Sequence, residues 1–314
     1  MLRTVISRIL TTIPLLLVVS ILAFLVVQSI PGSIAEEILG EGVSDEDVEA
    51  LEAELGLDAP LPVQYLRWLG NALTGDLGIS LNNNVPVTTL LNEAYPVTLS
   101  ITIGGMIVGV ILGLSFGILA GLSPGSFTDR FVTFLASTTV AIPGFVLAML
   151  LAIFLALRLG WFPVIGFTPP SEGIVDWLLS ITLPSIALGI PSSALIARQT
   201  RSAMSNVLQS SYIRAARAMG VPRGQIVREY ALKNAMIPVL TVIGFRLAVV
   251  IGQSFVVEQV FSMRGIGSMM VEAIRQQNVY VVQAVIVIVA VFVVGANLLI
   301  DIGYTWLNPK VRLG

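Results

Sequence analysis

Residues 96–122 read Pro-Val-Thr-Leu-Ser-Ile-Thr-Ile-Gly-Gly-Met-Ile-Val-Gly-Val-Ile-Leu-Gly-Leu-Ser-Phe-Gly-Ile-Leu-Ala-Gly-Leu, without a single charged side chain. A membrane helix needs about 20 largely apolar residues to cross a hydrocarbon core of roughly 30 Å. This stretch is long enough and apolar enough to do so. Within it glycines recur every four residues, at Gly105, Gly109, Gly113, Gly117 and Gly121.

The spacing of these glycines predicts how the helix packs. Small residues four apart let helix backbones approach each other closely. Each four-residue step turns by about 40° around the helix axis, so the stripe winds nearly halfway round the helix. We expect the helix to be buried between two neighbours, because one straight partner could not contact the whole stripe. A glycine-lined transport pathway is the alternative interpretation.

The composition of the whole chain indicates a membrane protein. Of 314 residues, 55% are hydrophobic and 11% are charged, and the mean hydropathy is +0.91. Soluble globular domains carry about 25% charged residues, so much of the apolar surface must face lipid. Together with Pro96–Leu122, five further apolar stretches predict an all-α fold with six transmembrane helices: Ile9–Ile30, Phe131–Leu157, Ile181–Ala197, Pro238–Val257 and Val281–Ile302.

The placement of lysine and arginine predicts the orientation of the chain. Cytoplasmic loops of membrane proteins carry an excess of these residues. With both termini in the cytoplasm, 12 of the 17 basic residues lie inside: Arg3, Arg8, Arg130, Arg198, Arg201, Arg214, Arg217, Arg223, Arg228, Lys233, Lys310 and Arg312. Most of the acidic residues then lie outside, in the segment that follows the first span.

This topology divides the chain into three parts. Residues 1–30 form the N-terminal segment and first span, residues 31–95 an extracytoplasmic segment with short helices, and residues 96–314 the core with a cytoplasmic loop at 198–237. In the outer segment Ser44 is a plausible helix N-cap and Gly56 a plausible stop. That helix is either a solvated cover over the membrane domain or a docking surface for an external solute-binding protein.

The inner segment from Arg198 to Ile237 carries seven basic residues and one acid. Ser210 or Ser211 could cap a short helix that runs to Met219. Gly220 permits a left-handed stop, and Pro222 can open the next helix. The alanines would leave one face flat, and the arginines offer donors to partner carboxylates. The segment therefore reads as a compact cytoplasmic knob, with an ordinary positively charged loop as the alternative.

Part of this segment resembles a known loop. Arg214-Ala215-Ala216-Arg217-Ala218-Met219-Gly220, followed by Asn234-Ala235-Met236-Ile237-Pro238, is similar to the Glu-Ala-Ala…Gly…Pro loop of ABC-importer permeases. Arg214 stands where the general loop has glutamate, and Pro238 lies farther from Gly220 than in sugar importers. Both departures are similar to the peptide/nickel class. Other stretches agree with that class: Ile30–Gly32, Leu55–Tyr65, Gly75–Ser80 and Val257–Gly267.

The resemblance implies a division of labour among several chains. This chain and a homologous permease would form the pathway, two cytoplasmic ATPases would bind ATP and Mg²⁺, and an external binding protein would deliver solute. The chain itself would bind lipid but no cofactor, metal or nucleic acid. Di- or oligopeptides are the expected solutes, with nickel complexes or oligosaccharides as alternatives. Coupling to an ATPase would fall on seven residues: Tyr212, Arg214, Ala215, Ala216, Arg217, Ala218 and Gly220.

Other classes of function fit the residues less well. The chain has no histidine and no cysteine, which removes the commonest general base and thiol nucleophiles. It also lacks a G-x-x-x-x-G-K-[ST] phosphate loop. A stand-alone secondary carrier is the stronger rival, because carriers place ionisable residues in their spans. Arg246 is the clear candidate: it could snorkel to the inner interface, or face a substrate pathway together with Gln253.

Overall fold

The computed structural model describes residues 2–28, 35, 39–40 and 43–307. The predicted chain ends at Met1 and 308–314, and most of segment 29–42, lie outside these residues. Within the described part the regular structure is helical, apart from an isolated bridge between Ile79 and Pro86. The helices are α1 (Leu2–Gln28), α2 (Asp45–Leu55), α3 (Leu61–Leu73), α4 (Val87–Leu122), α5 (Phe127–Ala141), α6 (Gly144–Arg158), α7 (Ile174–Leu208), α8 (Ser211–Ala218), α9 (Arg223–Val260), α10 (Ile266–Arg275) and α11 (Val279–Leu307).

The outer segment begins with the helix that its caps predict. The backbone N–H of Asp47 donates to the Ser44 side chain at 3.3 Å, and Gly56 ends α2 in the left-handed conformation at φ 69°. Helix α3 then lies against α1, where Tyr65 hydrogen-bonds Ser20 at 2.8 Å and packs edge-on against Phe24. The outer segment is therefore tied to the first membrane helix.

Five helices are long and apolar enough to cross a membrane: α1, α4, α7, α9 and α11. The predicted straight span Phe131–Leu157 is wrong. Its place is taken by α5 and α6, which meet at an angle of 95°. Pro143 precedes α6, and Ile142 is extended at φ −90° and ψ 119°, because a residue before proline is driven out of the helical region.

Helix α7 is longer and more buried than its short apolar run, Ile181–Ala197, suggests. It spans 35 residues, includes Pro184 and Pro191, and is the most buried of the membrane-length helices that the structure describes. Because α7 continues to Leu208 and α9 begins at Arg223, the predicted loop 198–237 is mostly helical. Helix α9 contains a π-helical turn at Ile226–Ala231, and α6 ends in another at Ala152–Arg158.

All five glycines of the stripe pack against the single helix α7, so the expected second neighbour along the stripe is wrong. A Cβ atom at any of them would lie within 3.0 Å of an α7 side chain: Leu188 for Gly105, Ser192 for Gly109, Ile196 for Gly113, Thr200 for Gly117 and Met204 for Gly121. The contacts advance by four residues on both helices. That pattern is typical of helices that coil around each other with a right-handed crossing, so the partner follows the winding stripe.

The same contacts show that α4 and α7 run parallel. Gly105 faces Leu188 near the start of the seam, and Gly121 faces Met204 near its end. Two parallel helices that both cross the membrane require one return crossing between them. The bent pair α5–α6 must supply it, which gives six crossings in total.

We expect Gly113→Ala to destabilise the fold, because its Cβ would lie 2.6 Å from Ile196 Cβ and 3.0 Å from the Ser193 carbonyl oxygen. Overpacking of this kind costs about 1–3 kcal/mol. Thermal unfolding of the purified protein measures the effect. Gly295→Ala is the matched control, because nothing lies within 4 Å of its Cβ. Equal melting temperatures for the two variants would contradict the close approach of α4 and α7.

Candidate functional site

The short helix α8 is held against the bundle by a small apolar cluster of its own. Ile213 and Ala216 are buried and pack with Ile226 at the start of α9. Val207, Leu208 and Val221 complete the cluster. Although α8 has only eight residues, this contact fixes both its position and the face that it turns outward.

The outward face of α8 is not the one that the sequence predicts. Ala216 points into the cluster and is 3% exposed, so it belongs to the permanent packing and not to a docking face. Five of the predicted coupling residues are exposed with Met219 beside them: Tyr212, Arg214, Ala215, Ala218 and Gly220. The reason is the helical period, which places residues 213 and 216 on one side and residues 215 and 218 on the other.

The two ends of α8 differ from each other. Ser210 occupies the N-cap position, but its hydroxyl donates to the Val207 carbonyl at 2.6 Å and does not cap the helix. At the other end Gly220 adopts φ 80° and its N–H donates to the Arg217 carbonyl at 3.0 Å. Nothing lies within 4 Å of a Cβ at Gly220, so a substitution there would cost backbone strain alone.

The arginines of α8 turn towards the chain itself. Arg214 Nη1 donates to the Gln209 carbonyl at 3.0 Å, and Arg217 Nη2 donates to the Leu208 carbonyl at 3.3 Å. Both side chains remain exposed. Arg217 is therefore folded back towards the cytoplasmic end of α7, next to the buried side of the helix.

Arg246 is buried in the middle of α9 and faces α7. Its Nη2 donates to Ser192 Oγ at 3.0 Å, while its Nε has no partner, and only 6% of the residue is exposed. It forms no ion pair within the described ranges. Gln253 lies seven residues later, hence on nearly the same face of the helix, but it is exposed. The described residues contain no group of three or more histidine, cysteine, aspartate or glutamate side chains suited to a metal ion.

Comparison with known families accounts for this arrangement. Residues 113–313 match the family described as the inner membrane component of binding-protein-dependent transport systems, and residues 1–102 match its N-terminal companion family. The first match alone covers well over half of the chain. The chain belongs to this family. It is a multi-pass inner-membrane permease of a binding-protein-dependent ABC importer.

Relatives cover nearly the full length of the permease. A probable peptide ABC transporter permease, y4tP of Sinorhizobium fredii, is 37% identical over 98% of each chain. The dipeptide transport system permease protein DppB of Alkalihalophilus pseudofirmus is 36% identical over 99% of this chain and 100% of its own. The glutathione transport system permease protein GsiC of Escherichia coli is 36% identical over 99% of each chain.

Solved structures share the fold of the permease. The inward-facing MetNI methionine ABC transporter has a TM-score of 0.57 at 22% identity, over 70% of this chain and 96% of that one. An amino acid ABC transporter with histidines has a TM-score of 0.53 at 19% identity, over 69% and 94%. At these identities the likeness concerns the fold alone.

The permease also contains two polar contacts that our sequence analysis missed. Near the start of α5, Asp129 is buried and forms a two-pronged ion pair with Arg201 of α7, through Nε to Oδ1 and through Nη2 to Oδ2 at 2.7 Å. The Gly125 N–H donates to the same carboxylate at 2.8 Å. Arg201 was visible only as one of many cytoplasmic arginines, and nothing local indicated its partner 72 residues away.

The second missed contact surrounds Glu258 at the far end of α9. This fully buried carboxylate accepts from Thr98 Oγ1 of α4 at 2.6 Å and from the Ser268 N–H of α10 at 2.9 Å. Thr98 Oγ1 in turn accepts from the Ile266 N–H at 2.8 Å. A Cβ at Gly265 would collide with the carboxyl group. The Val257–Gly267 stretch thus joins three helices, and the glutamate at the edge of an apolar run was the available signal.

We expect Thr98→Val to destabilise the permease, because it removes a donor to Glu258 and an acceptor for the Ile266 N–H. Unsatisfied buried groups cost about 1–3 kcal/mol each. Thr182→Val is the matched control: its hydroxyl donates only to the Leu178 carbonyl of its own helix, and the residue is exposed. Thermal unfolding of both variants checks this, and an unchanged melting temperature for Thr98→Val would rule out a structural role for the contact.

Proposed function

We propose that the permease forms half of an import pathway for peptides. The support is the relatives, whose names specify peptides, dipeptides and glutathione and which match this chain from end to end. Nickel complexes and oligosaccharides remain alternatives within the same architecture. A homologous permease would supply the other half of the pathway, as the resemblance to two-permease importers implies.

We further propose that ATP and Mg²⁺ are bound by two cytoplasmic ATPase subunits. The support is the sequence of the permease, which contains no phosphate loop. In this proposal both termini, α8 and the start of α9 are cytoplasmic. Residues 31–95 then lie outside and residues 96–314 form the core. Helices α2 and α3 would face the external binding protein that delivers the solute.

The outward face of α8 is the observation that carries the coupling proposal. Tyr212 and Met219 are 43% and 77% exposed although both are large, and they flank the small side chains of Ala215 and Ala218. Exposed large apolar groups around a flat patch are typical of a protein interface. The opposite face is locked to α7 and α9 through Ile213 and Ala216. A force on the exposed face is therefore transmitted directly to two membrane helices.

We expect Ala215→Glu to abolish uptake and solute-stimulated ATP hydrolysis, because it places a charge in the centre of the flat face. The ATPase subunits should co-purify less well with this variant, whereas membrane insertion is unchanged because it depends on the spans. Ala53→Glu on α2 is the matched control, an exposed helical alanine in the outer segment. Full ATPase recruitment together with full uptake in Ala215→Glu would refute the coupling role of α8.

We propose that the pathway runs along the side of α9 that carries Arg246 and Gln253. An arginine in a span without a carboxylate partner is costly, and an exposed glutamine in the same helix is poorly suited to lipid. Both observations fit a face that meets polar solute. The free carboxylate of a peptide is the natural partner for Arg246, whose Nε is unpaired in the described structure.

We expect Arg246→Gln to lower the rate of peptide uptake by roughly ten- to a hundredfold, the loss of one charged hydrogen bond. Co-purification of the ATPase subunits should not change. Ser192→Ala is the control, because it removes the hydroxyl that Arg246 contacts but keeps the charge. Uptake measured in reconstituted vesicles decides the matter: normal transport by an assembled Arg246→Gln complex would remove this residue from the pathway.

A further inference from the structure

Behind α8 the permease has a cavity of about 470 Å³ that the coupling proposal does not use. It lies where α4 and α7 end, beside α8 and the first turns of α9. Two arginines and five apolar residues line it: Arg217, Arg223, Leu122, Leu208, Val221, Ile226 and Val227. No acidic side chain and no aromatic ring is among them.

The two arginines bring positive charge that nothing in the described part of the chain neutralises. Arg217 Nη2 donates to the Leu208 carbonyl at 3.3 Å, and Arg223 Nη2 donates to the Leu122 carbonyl at 3.4 Å. Both bonds are long, and both accept at the last residue of a membrane helix. A guanidinium has five N–H donors in a planar fork that suits phosphate oxygens. Each arginine therefore retains donors for a ligand.

The depth of the cavity selects the kind of ligand. Leu122 and Leu208 are the terminal residues of α4 and α7, two helices that cross the membrane, so the cavity lies at the level of the lipid headgroups. Basic pockets between membrane helices on the cytoplasmic side are suited to anionic headgroups. The apolar lining residues offer a surface for the glycerol backbone and the first carbons of the acyl chains.

We propose that this cavity binds the phosphate of an anionic phospholipid, held between Arg217 and Arg223. The proposal rests on the cytoplasmic placement of α8 proposed above. It also separates the two sides of α8: Ala215 and Ala218 face outward to an ATPase, and Arg217 faces the lipid. A bound lipid would brace α8 against the ends of α4 and α7 from behind.

Native mass spectrometry of the assembled importer in detergent, with phosphatidylglycerol or phosphatidylcholine added, tests this directly. Wild type should retain phosphatidylglycerol in preference to phosphatidylcholine. Arg217→Gln and Arg223→Gln should each lower the affinity roughly fivefold, since one basic residue near an anionic headgroup contributes about that factor. Arg228→Gln is the control, because its side chain is 80% exposed, contacts Glu229 and lies outside the cavity.

A second measurement guards against variants that are merely less stable. Without lipid, all variants and wild type are compared by thermal unfolding, and then the shift that phosphatidylglycerol produces is measured for each. The two cavity variants should lose that shift whatever their starting temperature, and Arg228→Gln should keep it. Inorganic phosphate should not reproduce it, because a free anion lacks the acyl chains.

Three outcomes would overturn the proposal: retention of phosphatidylglycerol by both cavity variants at the wild-type level, equal stabilisation by inorganic phosphate, or loss of ATPase co-purification without loss of lipid. The last would assign the arginines to the ATPase contact. Lipid retention requires neither solute nor ATP, so an importer that fails to transport peptides leaves this result readable, and a transporting importer does not presuppose it.

Discussion

The close contact between α4 and α7 is the interaction on which the rest of the permease depends. Within lipid, apolar side chains gain nothing from leaving their surroundings, so helices associate through van der Waals packing and hydrogen bonds. Five glycines on α4 allow Ile196, Thr200 and Met204 of α7 to approach its backbone. Gly189 returns the arrangement, because a Cβ there would lie 2.7 Å from the Gly105 carbonyl oxygen. The result is a parallel pair to which the other helices attach.

The remaining polar contacts are distributed along this pair. Asp129 and Arg201 fasten α5 to the cytoplasmic end of α7, and Thr98 and Glu258 fasten α9 and α10 to the other end of α4. Between them Arg246 reaches Ser192 across the middle of the bundle. Buried carboxylates with several donors are strong cross-links, because each lost bond leaves an unsatisfied group. The two ends of the seam are thus fixed by hydrogen bonds, and its middle by packing.

Much of the fold could be predicted from the sequence because its main determinants are local. An apolar run of sufficient length indicates a membrane helix, and Ser44 and Gly56 mark the ends of α2. The break at Pro143 was harder, because prolines also occur inside α7 without breaking it. Pro184 and Pro191 lie within a continuous helix, and only the surroundings decide between the two outcomes. The number of partners along the glycine stripe depended on the coiling of α7, which no local pattern reveals.

The orientation of α8 illustrates the same limit at the site. Alanine fits equally well inside a cluster or on a docking face, so the run Ala215-Ala216 could not be oriented from its own residues. Ile213 was the useful signal: a large apolar side chain seeks burial, and Ala216 shares its face. Arg217 and Arg214 are alike in sequence, yet their different angular positions place only Arg217 beside the cavity.

The π-helical turn in α9 has a consequence for how this helix is numbered against space. A π turn accommodates one more residue than an α turn, and one residue in a helix corresponds to about 100° of rotation. Residues before Ile226–Ala231, such as Arg223, and residues after it, such as Arg246, therefore belong to two different angular registers. A single helical wheel drawn through α9 would misplace one end. Loss or gain of one residue within this turn changes which side chains α9 presents, while the chain on either side stays helical.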